Sequence, residues 1–238
     1  MMHLLQALLW DVDGTLADTE ESGHRPAFND AFAQAGLDWF WDQATYLRLL
    51  QVSGGRERIR AWMEQQQHWP DAARHDTEQW IEALQRAKQK LYQQRLQQGL
   101  IALRPGVERV VLSAHAAGLQ QAIVTTSGRS AVEALLAAHP QLQGCFAKWV
   151  CGEDVSRKKP DPEAYRLALQ RLGLEGRSAL AIEDSPQGLH AARGAELAVV
   201  ITTADWHGER ADLADAVLVV EHLDSQPTEL ADLRALLI

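Results

Sequence analysis

Residues 4–15 read LLQALLWDVDGT, an apolar run broken only by Gln6 that leads into Asp11, Asp13 and Gly14. A continuous apolar run that ends in turn residues predicts a buried strand. Two carboxylates two residues apart at a strand end can face one site, and Gly14 permits the sharp turn that brings backbone N–H groups inward. One carboxylate could serve as a nucleophile or metal ligand, and the other could move a proton. Read alone, the same residues also fit an ordinary turn after a strand.

Beyond this strand, the spacing of apolar residues changes twice along the chain. From Asp18 to about Gln98 the spacing of apolar residues predicts helices, at about residues 24–35, 43–50, 56–66 and 77–98. After Gly99 the pattern alternates between helices and short apolar strands. We expect the strands at residues 4–10, 122–124, 147–151, 179–182, 197–202 and 216–220. This alternation predicts an α/β fold with a parallel sheet that helices cover on both faces.

These two changes in the apolar pattern predict two domains. Residues 1–16 and 100–238 should form a Rossmann-like core domain, and residues 17–99 should form an all-helical cap domain inserted after the first strand. Ligands of open α/β sheets bind outside the carboxyl ends of the strands. The cap is therefore expected to act as a lid over that site.

Composition and charge exclude several classes of protein. The 238 residues are 46% hydrophobic and 23% charged, which excludes a disordered or fibrous chain. Asp and Glu number 32 against 23 Lys and Arg, and this net charge of −9 argues against a nucleic-acid partner. No apolar run approaches the roughly 18 residues that cross a bilayer, and residues 1–10 do not resemble a signal or transit peptide. Cys145 and Cys151 are expected to be reduced thiols. We expect a cytoplasmic monomer that acts on a small molecule.

Three further strand ends carry polar side chains that suit phosphate chemistry. Thr125 and Thr126 can donate hydrogen bonds to an anion, and Lys159, fixed before a proline, can hold an ammonium over a phosphate. The pair Glu183–Asp184 suits a hard cation, for which Mg²⁺ is the usual choice in phosphate chemistry. Each group alone has a plain structural explanation: a turn, a solvated basic loop, or a helix N-cap by Asp184 or Ser185. Four such groups in order predict a single Mg²⁺–phosphate pocket.

In this order the four motifs resemble those of the haloacid dehalogenase superfamily of phosphotransferases. The matching residues are Asp11 to Thr15, Thr125, Lys159 with Pro160, and Glu183 with Asp184. The helical insertion is similar to the small cap of the β-phosphoglucomutase-like branch of that superfamily. A narrower resemblance, to the CbbY-like phosphatases, rests on residues 18–20, 23–29, 38–41, 54–58, 86–88 and 101–106.

The resemblance implies a substrate and a role for each matching residue. The substrate would be xylulose 1,5-bisphosphate, an inhibitory by-product of Rubisco, and the setting would be the Calvin cycle. Asp11 would be the nucleophile and Asp13 the general acid and base. Mg²⁺ would be held by Asp11, the backbone carbonyl of Asp13 and Asp184, with Glu183 beside them. The transferring phosphate would be bound by Thr125, Thr126 and Lys159. The other substrate contacts would come from Ser127, Glu20, His24, Gly54, Gly55, Arg56, Arg58, Arg86 and Lys88.

A second phosphate needs cations of its own, and the cap supplies Arg56, Arg58, Arg86 and Lys88. Arg56 and Arg58 are two residues apart and do not share a helix face. If both bind the ligand, at least Arg56 must lie outside the helix that follows Gly54–Gly55. Arg86 and Lys88 fit equally well on a solvated helix face.

Other positions carry alternative interpretations or depart from the relatives. His24 could be a structural residue at a helix start, and the aromatic residues 39–41 are expected in the cap core rather than on a stacking surface. Trp10 stands where Phe is usual, and Gln85 stands where some relatives carry His. Arg129, which follows the second motif, could change how the sugar is held.

Two other functions stay open at this point. One is a phosphosugar mutase of the β-phosphoglucomutase type, which must shield its phospho-aspartate from water. The other is a non-catalytic sensor of a phosphate ligand. Asp13 favours an enzyme, because a sensor does not require the second aspartate of the first motif. A dehalogenase fits less well still, since it needs neither Mg²⁺ nor Asp13.

Overall fold

The computed structural model describes residues 4–50, 52, 54–67, 69–203, 210–225 and 228–237. Trp206 and His207, for which the sequence suggests no role, lie outside these residues. The chain separates into two compact units, one made of residues 1–18 and 102–238 and the other of residues 19–101. No helix in the described part of the chain is both long and apolar enough to span a bilayer.

A six-stranded parallel sheet forms the centre of the first unit, which we call the core. Its strands are β1 (Ala7–Trp10), β2 (Gln120–Val124), β3 (Lys148–Val150), β4 (Ala179–Glu183), β5 (Ala198–Thr202) and β6 (Leu218–Val220). Their order in the sheet is β3-β2-β1-β4-β5-β6. β1 is completely buried, which explains why its sequence is continuously apolar rather than alternating. From β1 the chain adds β2 and β3 on one side of the sheet, and then β4, β5 and β6 on the other side. Ligands of such sheets bind at the point where the strand order reverses.

Helices flank the sheet. They are α5 (Val107–Ala116), α6 (Arg129–Ala138), α7 (Glu163–Leu172), α8 (Pro186–Arg193) and α9 (Leu230–Ala235). α7 and α8 bury their apolar faces in one cluster with the sheet, and Tyr165 and Leu169 are two of the α7 residues in that cluster. The predicted α/β fold with an inserted helical segment is confirmed. α5 begins at Val107, because Gly106, with a φ of 83°, lies outside the helical conformation.

In the second unit, which we call the cap, every regular element among the described residues is helical. Its helices are α1 (Arg25–Gln34), α2 (Gln43–Leu49), α3 (Gly55–Gln66) and α4 (Thr77–Gln97), and a π-helical turn, Glu20–His24, precedes α1. Asp42 and Asp76 begin α2 and α4 by accepting hydrogen bonds from backbone N–H groups of the first turn. An aromatic cluster fills the interior, and Trp39 and Trp41 are buried in it, whereas Phe40 is 65% exposed.

Two minor expectations concern buried groups of the core. Cys145 and Cys151, which are expected to be reduced thiols, are free and buried. Burial raises the pKa of Cys151 to about 11, so this thiol stays protonated. Trp10 is fully buried, and its indole N–H donates to the Gln121 side chain at 3.0 Å. The tryptophan therefore fits the strand because Gln121 satisfies its one polar group.

Candidate active site

Polar side chains collect where the central strands end. Asp11 follows β1, Thr125 follows β2, and Asp184 follows Glu183, the last residue of β4. β1 lies between β2 and β4, and Trp10 pairs with Ile123 and Ile182. Because all three strands run in parallel, these groups meet at one edge of the sheet.

Lys159 lies at the centre of this group. Its Nζ donates to Asp11 Oδ1 at 2.6 Å, to Glu183 Oε1 at 2.5 Å and to the Val124 carbonyl at 2.8 Å. Three acceptors use all three hydrogens of the ammonium. Burial alone would lower the pKa of Lys159, but the Asp11 and Glu183 carboxylates raise it above its ordinary value. Lys159 is thus a fixed positive charge beside Asp11.

Asp11 lies in a cluster that has more negative than positive charge. Burial raises its pKa from 3.8 to about 7, Lys159 opposes this rise, and Glu183 and Asp13 add to it. The pKa of Asp184 is also raised, first by burial and then by Asp11 and Glu183. One ammonium therefore does not balance the carboxylates, and the site favours a further cation.

The donor atoms fit a hard divalent cation. Asp11, Glu183 and Asp184 each offer a carboxylate oxygen, and these oxygens lie within 4.8 Å of one another. Glu183 Oε2 is buried and has no hydrogen-bond partner among the residues that the structure describes. An all-oxygen carboxylate set with an unpaired buried oxygen is the chemistry that Mg²⁺ and similar ions prefer.

Gly14 makes room for this cluster. Its φ is +82°, and a Cβ at this position would lie 2.2 Å from Asp184 Oδ2. Ser185, rather than Asp184, serves as the N-cap of α8, since its side chain accepts from the Gly188 N–H. The Asp184 carboxylate is therefore not used as a helix cap.

Asp13 contacts hydroxyl groups. Its Oδ2 accepts from Ser127 Oγ at 2.6 Å and lies 3.5 Å from Thr125 Oγ1. The Ser127 N–H in turn donates to Thr125 Oγ1 at 3.0 Å. Thr125 is buried, whereas Thr126 is exposed. The two hydroxyls that reach Asp13 are those of Thr125 and Ser127.

Arg129, the unusual residue after the second motif, is held by its neighbours. Its guanidinium pairs with Asp154 at 3.0 Å and lies 5.9 Å from the centre of the Trp149 ring. Asp154 also pairs with Arg171 at 3.1 Å. These contacts, all within the core, account for the arginine without a sugar ligand.

Within the cap, one group of predicted substrate residues forms a hydrogen-bonded chain. Tyr46 Oη donates to Glu20 at 2.5 Å and accepts from Arg58 at 3.1 Å. Arg58 also donates to the Leu49 carbonyl at 3.0 Å. Burial, followed by the charge of Glu20, raises the pKa of Tyr46. Arg58 is thus directed toward backbone carbonyls and a tyrosine.

A second cap group surrounds Lys88, which is only 3% exposed. Its Nζ lies 2.7 Å from His24 Nδ1 and lies over the rings of Phe28 and Tyr92. The His24 ring stacks on Tyr92 with 4.0 Å between centroids. Burial, and then the charge of Lys88, lower the pKa of His24, so its neutral ring accepts from the ammonium. The alternative of a solvated face was therefore wrong for Lys88.

Two exposed arginines of the cap share one carboxylate. Arg56 and Arg86 both pair with Glu82, at 3.5 Å and 3.1 Å. α3 begins at Gly55, so Arg56 lies in its first turn. The condition that Arg56 lie outside the helix is not met. Helix geometry therefore directs Arg56 and Arg58 differently: Arg56 is in solvent, whereas Arg58 donates to backbone carbonyls.

The two glycines of the α3 turn permit close approaches. Gly54 has a φ of +96°, and a Cβ there would meet the Glu57 carboxylate at 2.1 Å. A Cβ on Gly55 would meet the Gln85 side chain at 2.4 Å. The Gly54–Gly55 turn is thus packed against side chains of the cap itself.

The sequence and the fold both match known phosphatases. The profile of the haloacid dehalogenase-like hydrolases matches residues 5–196. The chain belongs to this family. Protein CbbY from Cupriavidus necator is 43% identical over 222 residues, which are 92% of this chain and 86% of that protein. As predicted, the chain is a haloacid dehalogenase-like phosphatase of the CbbY type.

Solved structures of this phosphatase family agree with the fold. CbbY from Rhodobacter sphaeroides in complex with phosphate has a TM-score of 0.75 and 38% identity, over 96% of this chain and 98% of that chain. A mutant of the same protein in complex with xylulose-(1,5)-bisphosphate has a TM-score of 0.74 and 37% identity, with the same coverage.

The haloacid dehalogenase-like site also contains residues that sequence reasoning missed. Tyr165 of α7 donates its hydroxyl hydrogen to Glu183 Oε1 at 2.5 Å. Gly188 packs against the other side of Glu183, where a Cβ would lie 1.9 Å from Oε2. Tyr165 occupies a buried position on an amphipathic helix, so its sequence pattern indicates only core packing.

Proposed function

We propose that this phosphatase hydrolyses xylulose 1,5-bisphosphate to xylulose 5-phosphate and inorganic phosphate, with Mg²⁺ as cofactor and Asp11 as nucleophile. The contact between Lys159 Nζ and Asp11 Oδ1, at 2.6 Å inside a carboxylate cluster, is the observation that carries the chemistry. The choice of substrate is supported by the bisphosphate bound to the related CbbY mutant from Rhodobacter sphaeroides.

In the first step, Asp11 attacks the phosphorus of the transferred group. A bond forms between an Asp11 carboxylate oxygen and phosphorus, and the bond between phosphorus and the sugar oxygen breaks. Asp13 donates a proton to that sugar oxygen as it leaves. Lys159, with Thr125 and Thr126 from the second motif, offsets the negative charge that gathers on the phosphoryl oxygens.

In the second step, water releases the phosphate. Asp13 accepts a proton from the attacking water, a new bond forms between water oxygen and phosphorus, and the bond to Asp11 breaks. Asp11 returns as a free carboxylate, still beside Lys159. The same Asp13 thus acts first as acid and then as base.

The carboxylates of the site would hold the metal ion. Asp11 and Asp184, with Glu183 beside them, supply the clustered oxygens, and the Asp13 carbonyl is the predicted backbone ligand. A bound Mg²⁺ would screen the repulsion between the Asp11 carboxylate and a phosphate dianion. Glu183 Oε2 supports this assignment, because it has no partner within the described part of the chain, and a buried anionic oxygen without a partner is otherwise unfavourable.

Arg56 and Arg86 would bind the phosphate that is not transferred. Both side chains are more than half exposed and pair with Glu82, so a phosphate dianion can compete for their guanidiniums. Arg58 and Lys88 have partners inside the cap, and we propose that they support the cap's substrate-binding surface together with Glu20 and His24.

The proposal is tested by phosphate release from a panel of sugar phosphates with Mg²⁺. The panel holds xylulose 1,5-bisphosphate, ribulose 1,5-bisphosphate, xylulose 5-phosphate, fructose 1-phosphate and glucose 1-phosphate. We expect the highest kcat/KM for xylulose 1,5-bisphosphate, with one phosphate released per molecule. Equal rates for monophosphates would contradict the proposed substrate. Conversion of glucose 1-phosphate to a positional isomer without phosphate release would establish a mutase instead.

A further inference from the structure

Tyr165 is a fully buried hydroxyl at the edge of the catalytic cluster. It lies on α7 with 0% exposure and donates to Glu183 Oε1 at 2.5 Å. The same oxygen accepts from Lys159 Nζ, also at 2.5 Å. One carboxylate oxygen thus joins a tyrosine of the helix layer to the lysine that contacts Asp11.

Glu183 is confined on its remaining side by Gly188. A Cβ at Gly188 would lie 1.9 to 2.4 Å from three atoms of the Glu183 carboxyl group. The Tyr165 hydroxyl and this close backbone approach together leave the carboxylate little freedom to rotate. A carboxylate fixed in this way can fix its other partner, the Lys159 ammonium.

The position of Lys159 depends on all of its acceptors. The ammonium is shared by Glu183, Asp11 and the Val124 carbonyl, and its nitrogen lies 5.2 Å from the centre of the Tyr165 ring. The Asp11 carboxylate changes its bonding during phosphoryl transfer, whereas the other contacts do not take part in the reaction. Those constant contacts are what can keep the ammonium in place as charge moves.

We propose that Tyr165 is a positioning residue for phosphoryl transfer. Its hydroxyl orients the Glu183 carboxylate, and Glu183 in turn holds the Lys159 ammonium against Asp11. This inference rests on the roles proposed above for Asp11 and Lys159. Tyr165 itself takes no part in bond making, and it acts only through Glu183.

The first test is Tyr165→Phe, which removes the hydroxyl and keeps the ring. With p-nitrophenyl phosphate and Mg²⁺, kcat should fall about 10- to 100-fold, the range found when an outer-shell hydrogen bond is lost. Leu169→Val, on the same helix and in the same apolar cluster, is the matched control for packing. In urea unfolding both variants should lose some stability, but Leu169→Val should keep the wild-type kcat.

Non-additivity distinguishes positioning from a general structural role. If Tyr165 acts through Glu183, then adding Tyr165→Phe to Glu183→Gln should lower kcat by less than about threefold further. If Tyr165→Phe lowers kcat in the Glu183→Gln enzyme by as much as it does in the wild type, the proposal is overturned. A wild-type kcat for Tyr165→Phe alone would also overturn it.

Gly188→Ala disturbs Glu183 from the side opposite Tyr165, and it is the test to use if Tyr165→Phe fails to fold. Alanine favours the helix, but its Cβ must displace the Glu183 carboxylate, so kcat should fall to a similar degree. A wild-type kcat for Gly188→Ala would overturn the inference.

Lys159→Met separates the positioning role of Tyr165 from the proposed function: an active Lys159→Met enzyme overturns both. An inactive one beside a fully active Tyr165→Phe enzyme overturns the positioning role alone.

Discussion

Replacing Gly14 by alanine should separate catalysis from stability. The new Cβ would lie 2.2 Å from Asp184 Oδ2, far inside van der Waals contact. Since the opposing atom is the end of a side chain, Asp184 can rotate away, and little stability is lost through the clash itself. The φ of +82° adds backbone strain of about 1–2 kcal/mol for a residue with a Cβ.

Gly118→Ala is the matched control. Gly118 has a φ of +74°, and beyond its own chain neighbours no heavy atom of the described residues lies within 4 Å of the position its Cβ would take. Both variants should therefore lose a similar free energy of unfolding, about 1–2 kcal/mol. Only Gly14→Ala displaces a proposed metal ligand, so only it should lose activity.

The assay is phosphate release against Mg²⁺ concentration, together with urea unfolding of both variants. At limiting Mg²⁺, Gly14→Ala should be at least about 100-fold slower than the wild type, beyond the effect of altering an outer-shell contact. High Mg²⁺ should restore part of that rate. A wild-type rate and Mg²⁺ requirement in Gly14→Ala would show that Gly14 does not make room for a metal ligand. An equal loss of activity in Gly118→Ala would show the same.

Three further predictions address the acid, the cap and the pH dependence. Asp13→Asn should slow turnover about 10²- to 10⁴-fold, the range for general acid–base catalysis, while isothermal titration shows retained Mg²⁺ binding; an unchanged rate would remove Asp13 from this role. Arg56→Ala should lower kcat/KM for xylulose 1,5-bisphosphate by roughly 10- to 150-fold, equivalent to about 1.5–3 kcal/mol, and should leave p-nitrophenyl phosphate unaffected. Arg60→Ala, an exposed arginine of the same helix that pairs with Glu78, is its control, and equal losses in both variants would contradict a phosphate contact. In a metal-free buffer, Asp11 should add a downward slope to the free energy of unfolding between pH 3.8 and about 7, because folded Asp11 keeps a proton that the unfolded chain has released. Asp11→Asn should reduce this slope in urea titrations at several pH values, and an unchanged slope would show that Asp11 does not hold that proton.

The core strands and the residues at their ends were predictable because both are encoded locally. Each strand is a short apolar run, and parallel strands place their carboxyl ends at one edge. Asp11, Glu183 and Asp184 could therefore be grouped before any distance was known. By contrast, α9 (Leu230–Ala235) was not predicted; six residues provide too short a pattern to stand out.

The partners of individual side chains were not predictable, because they depend on residues distant in sequence. Tyr165 and Glu183 meet through the packing of α7 on the sheet, and no spacing indicates that contact. Lys88 is different, since a signal existed. It shares the buried face of α4 with Leu84 and Tyr92, at helical spacing, and that periodicity indicates an interior position. The alternative that placed Lys88 on a solvated helix face considered its charge and not this periodicity.

The proposed mechanism requires that the phosphoryl group pass to Asp11. The most direct measurement is to quench the enzyme during turnover of xylulose 1,5-bisphosphate with Mg²⁺, reduce the acyl phosphate with borohydride, and sequence the peptides by mass spectrometry. Reduction converts a phosphorylated aspartate to homoserine. We expect homoserine at position 11 in the wild type, together with no turnover by Asp11→Asn. Unmodified Asp11 during active turnover, or a modified side chain elsewhere in the chain, would contradict it.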